Sequence, residues 1–191
     1  MHDIEPFWNW RHRYTAEEDE RSPFHGREYS EFYFTHAVYD HAIHPQWDAF
    51  GPSTLYLKIL YADYEEGHAI LEMIGEWNDL LHNDIMFLKR DIAEHLMAQG
   101  LHKFILIGEN VLNFHSSDQS YYEEWWEEVE EHNGWIALLN FRPHVLEDMK
   151  AADIDQYFLL GGNLDALDWR TYEPDELCQQ VERYVMRRLG V

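Results

Sequence analysis

Residues 55–78 read LYLKILYADYEEGHAILEMIGEWN, and residues 103–109 read KFILIGE. In the first stretch, two apolar runs flank Glu65-Glu66-Gly67. Glycine supplies the positive φ that a tight reversal needs, so the runs predict paired strands over about 54–64 and 68–77. Leu81, Ile85, Leu88, Ile92 and Leu96 then recur at spacings of four and three. That period predicts one buried face of a helix, capped by Asn78 or Asp79, running to about Ala98 and ended by Gly100. Phe104–Gly108 is short and continuously apolar, as expected of a strand covered on both faces.

Downstream, Ser120 and Glu123 have the spacing of a capping box before a helix over 121–132. Tyr122, Trp125, Trp126 and Val129 form its inner stripe. Residues 135–140 read as a strand. Pro143 suits the first position of a helix to about Ala152, facing inward through Val145, Leu146, Met149 and Ala152. Residues 156–160 read as a last strand, closed by Gly161-Gly162. Pro174 opens a final helix that packs through Leu177, Val181, Val185 and Leu189. Upstream, residues 30–44 read as extended, with Phe32, Phe34 and Val38 alternating with Tyr33, Thr35 and Tyr39. A break near Asp40 turns that segment into a hairpin.

The expected class is α/β, with antiparallel hairpins early in the chain. Helix crossovers require the strands from His68 onward to run parallel, with right-handed connections. The expected organisation is one domain. Residues 1–53 form an N-terminal extension packed on it, 54–161 the core, and 162–191 a C-terminal helical region. The extension carries Phe7, Trp8, Trp10, Tyr14, Phe24 and Tyr29. These are expected to cover the sheet face that the helices leave open, or else to build an interface.

The 191 residues include 14 Lys+Arg against 37 Asp+Glu, for a formal net charge of −23. Such a surface repels phosphate, which argues against nucleic acid and anionic membranes as partners. The single cysteine, Cys178, excludes an internal disulfide and suits a reducing compartment. No apolar run reaches bilayer length, and the N-terminus lacks the pattern of a signal peptide. The expectation is a cytoplasmic protein.

The strand and helix order of residues 54–160 resembles the STAS domain, the fold of bacterial anti-sigma-factor antagonists. The local likeness is Ile74-Gly75-Glu76-Trp77-Asn78-Asp79, a strand that ends in Gly-Glu before a helix. The resemblance implies a regulatory interaction module with a phosphorylated serine after the next strand. Here that region reads GENVLNFHSSDQS, without the family's Asp-Ser-x-Gly pattern, and leaves Ser116, Ser117 and Ser120 as phospho-switch candidates. The stretches FWNWRHRY, HPQWD, ILYADYEEG, FILIGEN and FRPHVLE resemble those of a bacterial family whose function is not characterised; that resemblance implies no activity.

In a parallel sheet, ligands favour the carboxyl ends of the strands. Those ends carry Glu76, Asn78, Glu109, Asn110, Asn140, Arg142 and His144. Arg142 offers a fork for a carboxylate, and His144 an acid or base near neutral pH. The competing reading makes these residues ordinary turns and caps, with Glu76 and Glu109 paired to Arg142. His36, His41 and His44, with Asp48, invite a metal reading, as do His144 and Glu147 one helical turn apart. None has the spacing of an established zinc motif, so no metal and no cofactor are expected. No P-loop, GxGxxG, GxSxG or CxxC occurs. Two readings follow. One is an interaction or regulatory module that binds a protein partner or a second copy of itself. The alternative is a small-molecule-binding protein or enzyme that uses the carboxyl edge.

Overall fold

The 191-residue chain folds around a four-stranded mixed sheet in a computed structural model that describes residues 3–190. Among the described residues, six strands form two sheets. Strands β1 (Ala37–Val38) and β2 (His41–Ala42) make a small antiparallel hairpin. The main sheet has the order β3-β4-β5-β6, with β3 Leu55–Asp63, β4 His68–Asn78, β5 Lys103–His115 and β6 Trp135–Leu139. β3 runs antiparallel to β4, and β4, β5 and β6 are parallel. The α/β class and the change of strand direction at His68 are as the pattern predicted. At the β3–β4 reversal, the Asp63 carboxylate accepts the N–H groups of Glu65 and Glu66, and Gly67 takes a φ of 77°.

Helical segments follow β4: α1 (Asp79–His82), α2 (Asp84–Phe87), a π-helical turn over Leu88–Ala93, and α3 (Glu94–Ala98). With α4 (Ser120–Glu130) and α5 (Pro143–Ala151) they cover one sheet face. Ile85, Leu88, Ile92, Leu96, Tyr122, Trp125, Val129, Val145 and Met149 pack there on Leu57, Leu71, Met73, Phe104 and Leu106. The other face carries α6 (Pro174–Leu189), which packs Leu177, Cys178, Val181 and Val185 on Ile70, Ile105, Ile107 and Leu139. The Leu189 side chain lies outside the described residues. Trp10 joins this second core and Phe24 the first, so the N-terminal aromatics serve both faces. Trp8 stays exposed. The β1–β2 hairpin closes a third cluster of Val38, Ile43, Trp47, Tyr56 and Ile74.

Several expectations are corrected. The helix after β4 is broken at Asn83, which adopts a left-handed backbone. Asp79 and Asp84 turn inward beside the break, and Leu81 is exposed rather than buried. β5 runs on through residues 109–115, where the resemblance implied the turn after the strand, because they pair with Ile74–Asn78. Ser120 is no capping residue: Gln119 precedes α4 without a side-chain bond, and the Asp118 carboxylate accepts the Ser120 N–H. The capping box lies instead at Glu173 and Glu176, before α6. Residues 156–160 form no full strand. Leu159 alone bridges to Ala137, because Ile154–Gln156 has coiled into a short 3-10 turn.

Gly75 sits where β4 crosses closest to the entry of β3. Its φ is 117°, and a Cβ added there would meet the Thr54 carbonyl oxygen at 2.0 Å. Backbone cannot yield as a side chain can, so Gly75→Ala should destabilise by well over about 1 kcal/mol. Urea unfolding checks this, with a midpoint clearly below that of the unaltered chain expected.

Candidate functional site

The carboxyl end of the sheet is staggered because β4 and β5 run on past the end of β6. Glu76 and Asn78 lie opposite Asn113 and His115, and Asn110 lies opposite Ile74. Apart from Asn110, the predicted site residues therefore fall into two hydrogen-bonded groups. Among the described residues, no hydrogen bond joins Glu76 to Glu109, Arg142 or His144.

The first group surrounds Glu109, midway along β5. Its Oε1 accepts from Asn140 Nδ2 at 3.0 Å, Trp169 Nε1 at 2.8 Å and Arg170 Nη1 at 3.1 Å, and its Oε2 from Arg170 Nη2 at 2.7 Å. Burial pushes the Glu109 carboxyl up, but the bonds from Arg170, Asn140 and Trp169 outweigh it and hold the group below its usual range. The forked pair comes from Arg170, not Arg142. Arg142 donates to the Glu109 backbone carbonyl, and His144 bonds the Leu112 carbonyl through its ring nitrogen. Both are exposed, and both tie the start of α5 to β5. Beneath this group lies Glu72 of β4, buried, with Oε2 accepting the Phe7 N–H at 2.7 Å. Burial pushes its carboxyl up to about 7, against the hydrogen bond from Phe7.

The second group surrounds Glu76. Tyr39, from the hairpin turn, lays its hydroxyl 3.0 Å from both carboxylate oxygens. Asn78 Nδ2 donates to Oε1, and His115 Nε2 stands 3.7 Å from Oε2. Asn78 Oδ1 in turn accepts the Leu81 N–H, capping the turn that follows. That turn raises Leu80 and Leu81 into solvent, at 65% and 73% exposure. Before the hairpin, Phe32, Tyr33 and Phe34 are also exposed, Phe32 at 82%. Tyr33 overhangs a cavity of about 320 Å³ lined by Tyr29, His36, Trp47 and Asp48. Leu80 borders a second hollow with Phe114, His115 and Ser116. Ser117, on the connection to α4, and Ser120, its first residue, are exposed.

Sequence reasoning missed Tyr39, His115, Trp169 and Arg170. Each reaches its carboxylate across a long loop or a strand pairing, and none stands in a recognisable spacing. The inward turn of Asp79 and Asp84 had one signal, two acids flanking an asparagine at the start of an apolar stripe.

The histidines singled out for metal do not converge. His36 tilts against Tyr56, His44 stands 3.5 Å from Glu5, and His41 is exposed. Among the described residues, one acidic trio has metal-like spacing, Glu94, Glu124 and Glu128. Their carboxylates converge on the buried Lys89 ammonium, at 2.9 Å for Glu94 and 3.0 Å for Glu128. That cation already neutralises part of their charge.

No family model matches the chain. No curated protein matches it either. Among solved structures, the chain is similar to a Thermotoga maritima protein provisionally named an anti-sigma factor antagonist. The two are 13% identical over 54% of this chain and 81% of that one, with a TM-score of 0.40. By that description it is of the kind that the strand order of residues 54–160 resembles. No helix among the described residues is long and apolar enough to cross a membrane.

Glu72 makes stability pH-dependent. Its carboxyl titrates near 7 in the fold and near 4.5 when unfolded. The folded protein therefore keeps a proton that the unfolded chain has lost. Stability falls as pH rises from about 4.5 to about 7, by up to on the order of 3 kcal/mol. Glu72→Gln should flatten that part of the profile, as measured by urea unfolding at several pH values.

Proposed function

We propose that this chain is a protein-interaction module of regulatory type. Its docking face is built from Phe32, Tyr33, Phe34 and Tyr39 on the hairpin side and Leu80 and Leu81 on the turn after β4. The observation that carries the reading is the exposure of these large apolar side chains, with Tyr39 tied to Glu76. Exposed aromatic patches of this kind mark interfaces. The Tyr39 hydroxyl rests on Glu76, Glu76 accepts from Asn78, and Asn78 caps the turn bearing Leu81. The face is thus held before a partner arrives, which lowers the ordering cost of binding.

The state of the carboxyl edge supports the same reading. Glu109 is fully engaged by Arg170, Asn140 and Trp169, and Arg142 and His144 hold backbone carbonyls. Bonds of this kind hold the fold together, which supports the interaction reading over the small-molecule one. A net charge of −23 makes a second copy a poor partner and a surface with a basic rim a good one. The proposal places the protein in the cytoplasm, in keeping with its single, buried cysteine.

Affinity capture from the native cell extract tests the reading with three chains: unaltered, Phe32→Ser/Tyr33→Ser/Leu81→Ser, and Arg142→Ala/His144→Ala. The expected result is one stoichiometric protein retained by the first and third and reduced at least tenfold by the second. The altered side chains are solvent-exposed, so folding should change by only about 0.5 kcal/mol. Capture that survives loss of the patch, or fails only with the Arg142/His144 pair, contradicts the proposal. A dimer in sedimentation velocity that dissolves with the patch substitutions would make the partner a second copy.

A further inference from the structure

The turn that presents Leu80 and Leu81 encloses two buried carboxylates. Asp79 is fully engaged. Its Oδ1 accepts from Trp77 Nε1 and the Ile85 N–H, and its Oδ2 from the Tyr122 hydroxyl. Asp84 is engaged on one side only. Its Oδ2 accepts the Asn78 N–H at 2.7 Å, while its Oδ1 is buried with no donor against it. The turn backbone thus hangs from side-chain oxygens: Asn78 from Asp84, Leu81 from Asn78, and Ile85 from Asp79. Asn83, held left-handed between the two acids, completes a conformation that most residues avoid.

Among the described residues, no cation acts on this pair. The groups acting on Asp84 are the Asp79 and Glu76 carboxylates. From the packed elements, α4 contributes the neutral Tyr122, and the hairpin and β5 contribute Tyr39 and His115, both turned to Glu76. Lys89 and Arg90, further along the helical run, are held by Glu94, Glu124 and Glu128.

We infer that Asp84 is a proton-operated latch on the docking face. With its proton, the turn closes and presents Leu80 and Leu81. Without it, a bare charge beside Asp79 and Glu76 favours opening of the turn to water. Its bearing on partner binding rests on the docking reading above; the latch itself is a property of the turn. Burial first, then Asp79 and Glu76, push the Asp84 carboxyl up to about 7. Burial pushes Asp79 to about 6. In an opened turn both return to the usual range near 4. Between about pH 4 and pH 7 the open form has lost a proton that the closed form keeps. Opening therefore grows by up to about tenfold per pH unit for each group across that window, and then levels.

Amide hydrogen exchange by NMR tests this between pH 4.5 and 7.5, corrected for the intrinsic rate. Asn78, Leu81 and Ile85 report the turn, and Leu106 in central β5 reports global unfolding. The expected result is at least a tenfold rise in opening at the three turn amides, and a much flatter profile in Asp84→Asn. A flat profile in the unaltered chain, or an equal slope in Asp84→Asn, overturns the latch. Should Asp84→Asn fail to fold, carbon-13 titration of the Asp84 carboxyl in the unaltered chain decides. A midpoint above 6 supports the latch, and one near 4 overturns it. Neither readout involves a partner, so failure here leaves the docking face to the capture experiment.

Discussion

Strand β4 is buried along all eleven of its residues, between β3 and β5 and under cover on both faces. A buried polar group that finds no partner costs about 1–3 kcal/mol, more when charged. Glu72, Glu76 and Asn78 of β4 draw partners in from elsewhere, and these contacts organise the molecule around the strand. Glu72 takes the Phe7 N–H and so anchors the N-terminal extension. Glu76 takes the Tyr39 hydroxyl and anchors the hairpin. Asn78 donates its backbone N–H to the Asp84 carboxylate, and its side chain caps the turn of Leu81. Two segments remote in sequence, and the turn that follows β4, are thereby tethered to one strand.

The same constraint explains why the two halves of the carboxyl edge differ. Around Glu109, which is only half-buried, an arginine and an indole from residues 169–170 complete the shell, and the edge becomes structural. Around Glu76 the shell is completed by a tyrosine whose ring remains in solvent. Tethering there leaves apolar surface on display. The proposed docking face follows from how β4 satisfies Glu76, and Asp84, tied to the end of the same strand, is left half-satisfied.

Much of the architecture was legible because it is periodic. The β3–β4 hairpin follows from two apolar runs about a glycine, and α5 and α6 from a proline ahead of a 3.6-residue stripe. The break at Asn83 was not legible, since Leu81 keeps the apolar period even though two inward carboxylates displace it. The overrun of β5 was hidden by its polar composition, which only pairing with Ile74–Asn78 stabilises. For the site, strand ends pointed to Glu76 and Glu109, but their partners lie at sequence separations of 37 and 61 residues. Periodicity carries no information about such contacts. The stagger of β5, which assigns the two acids to different networks, appears only once the register is known.

The central claim is that the segment of Phe32–Tyr39 and the turn of Leu80–Leu81 form one docking face around Glu76. Hydroxyl-radical footprinting of the captured complex against the free chain tests it most directly. The account predicts loss of reactivity at Phe32, Tyr33, Leu80 and Leu81 together, with Trp8 and the α5 start at Arg142–His144 unchanged. Protection confined to the Arg142–His144 edge, or divided so that only one of the two apolar segments is covered, would contradict it.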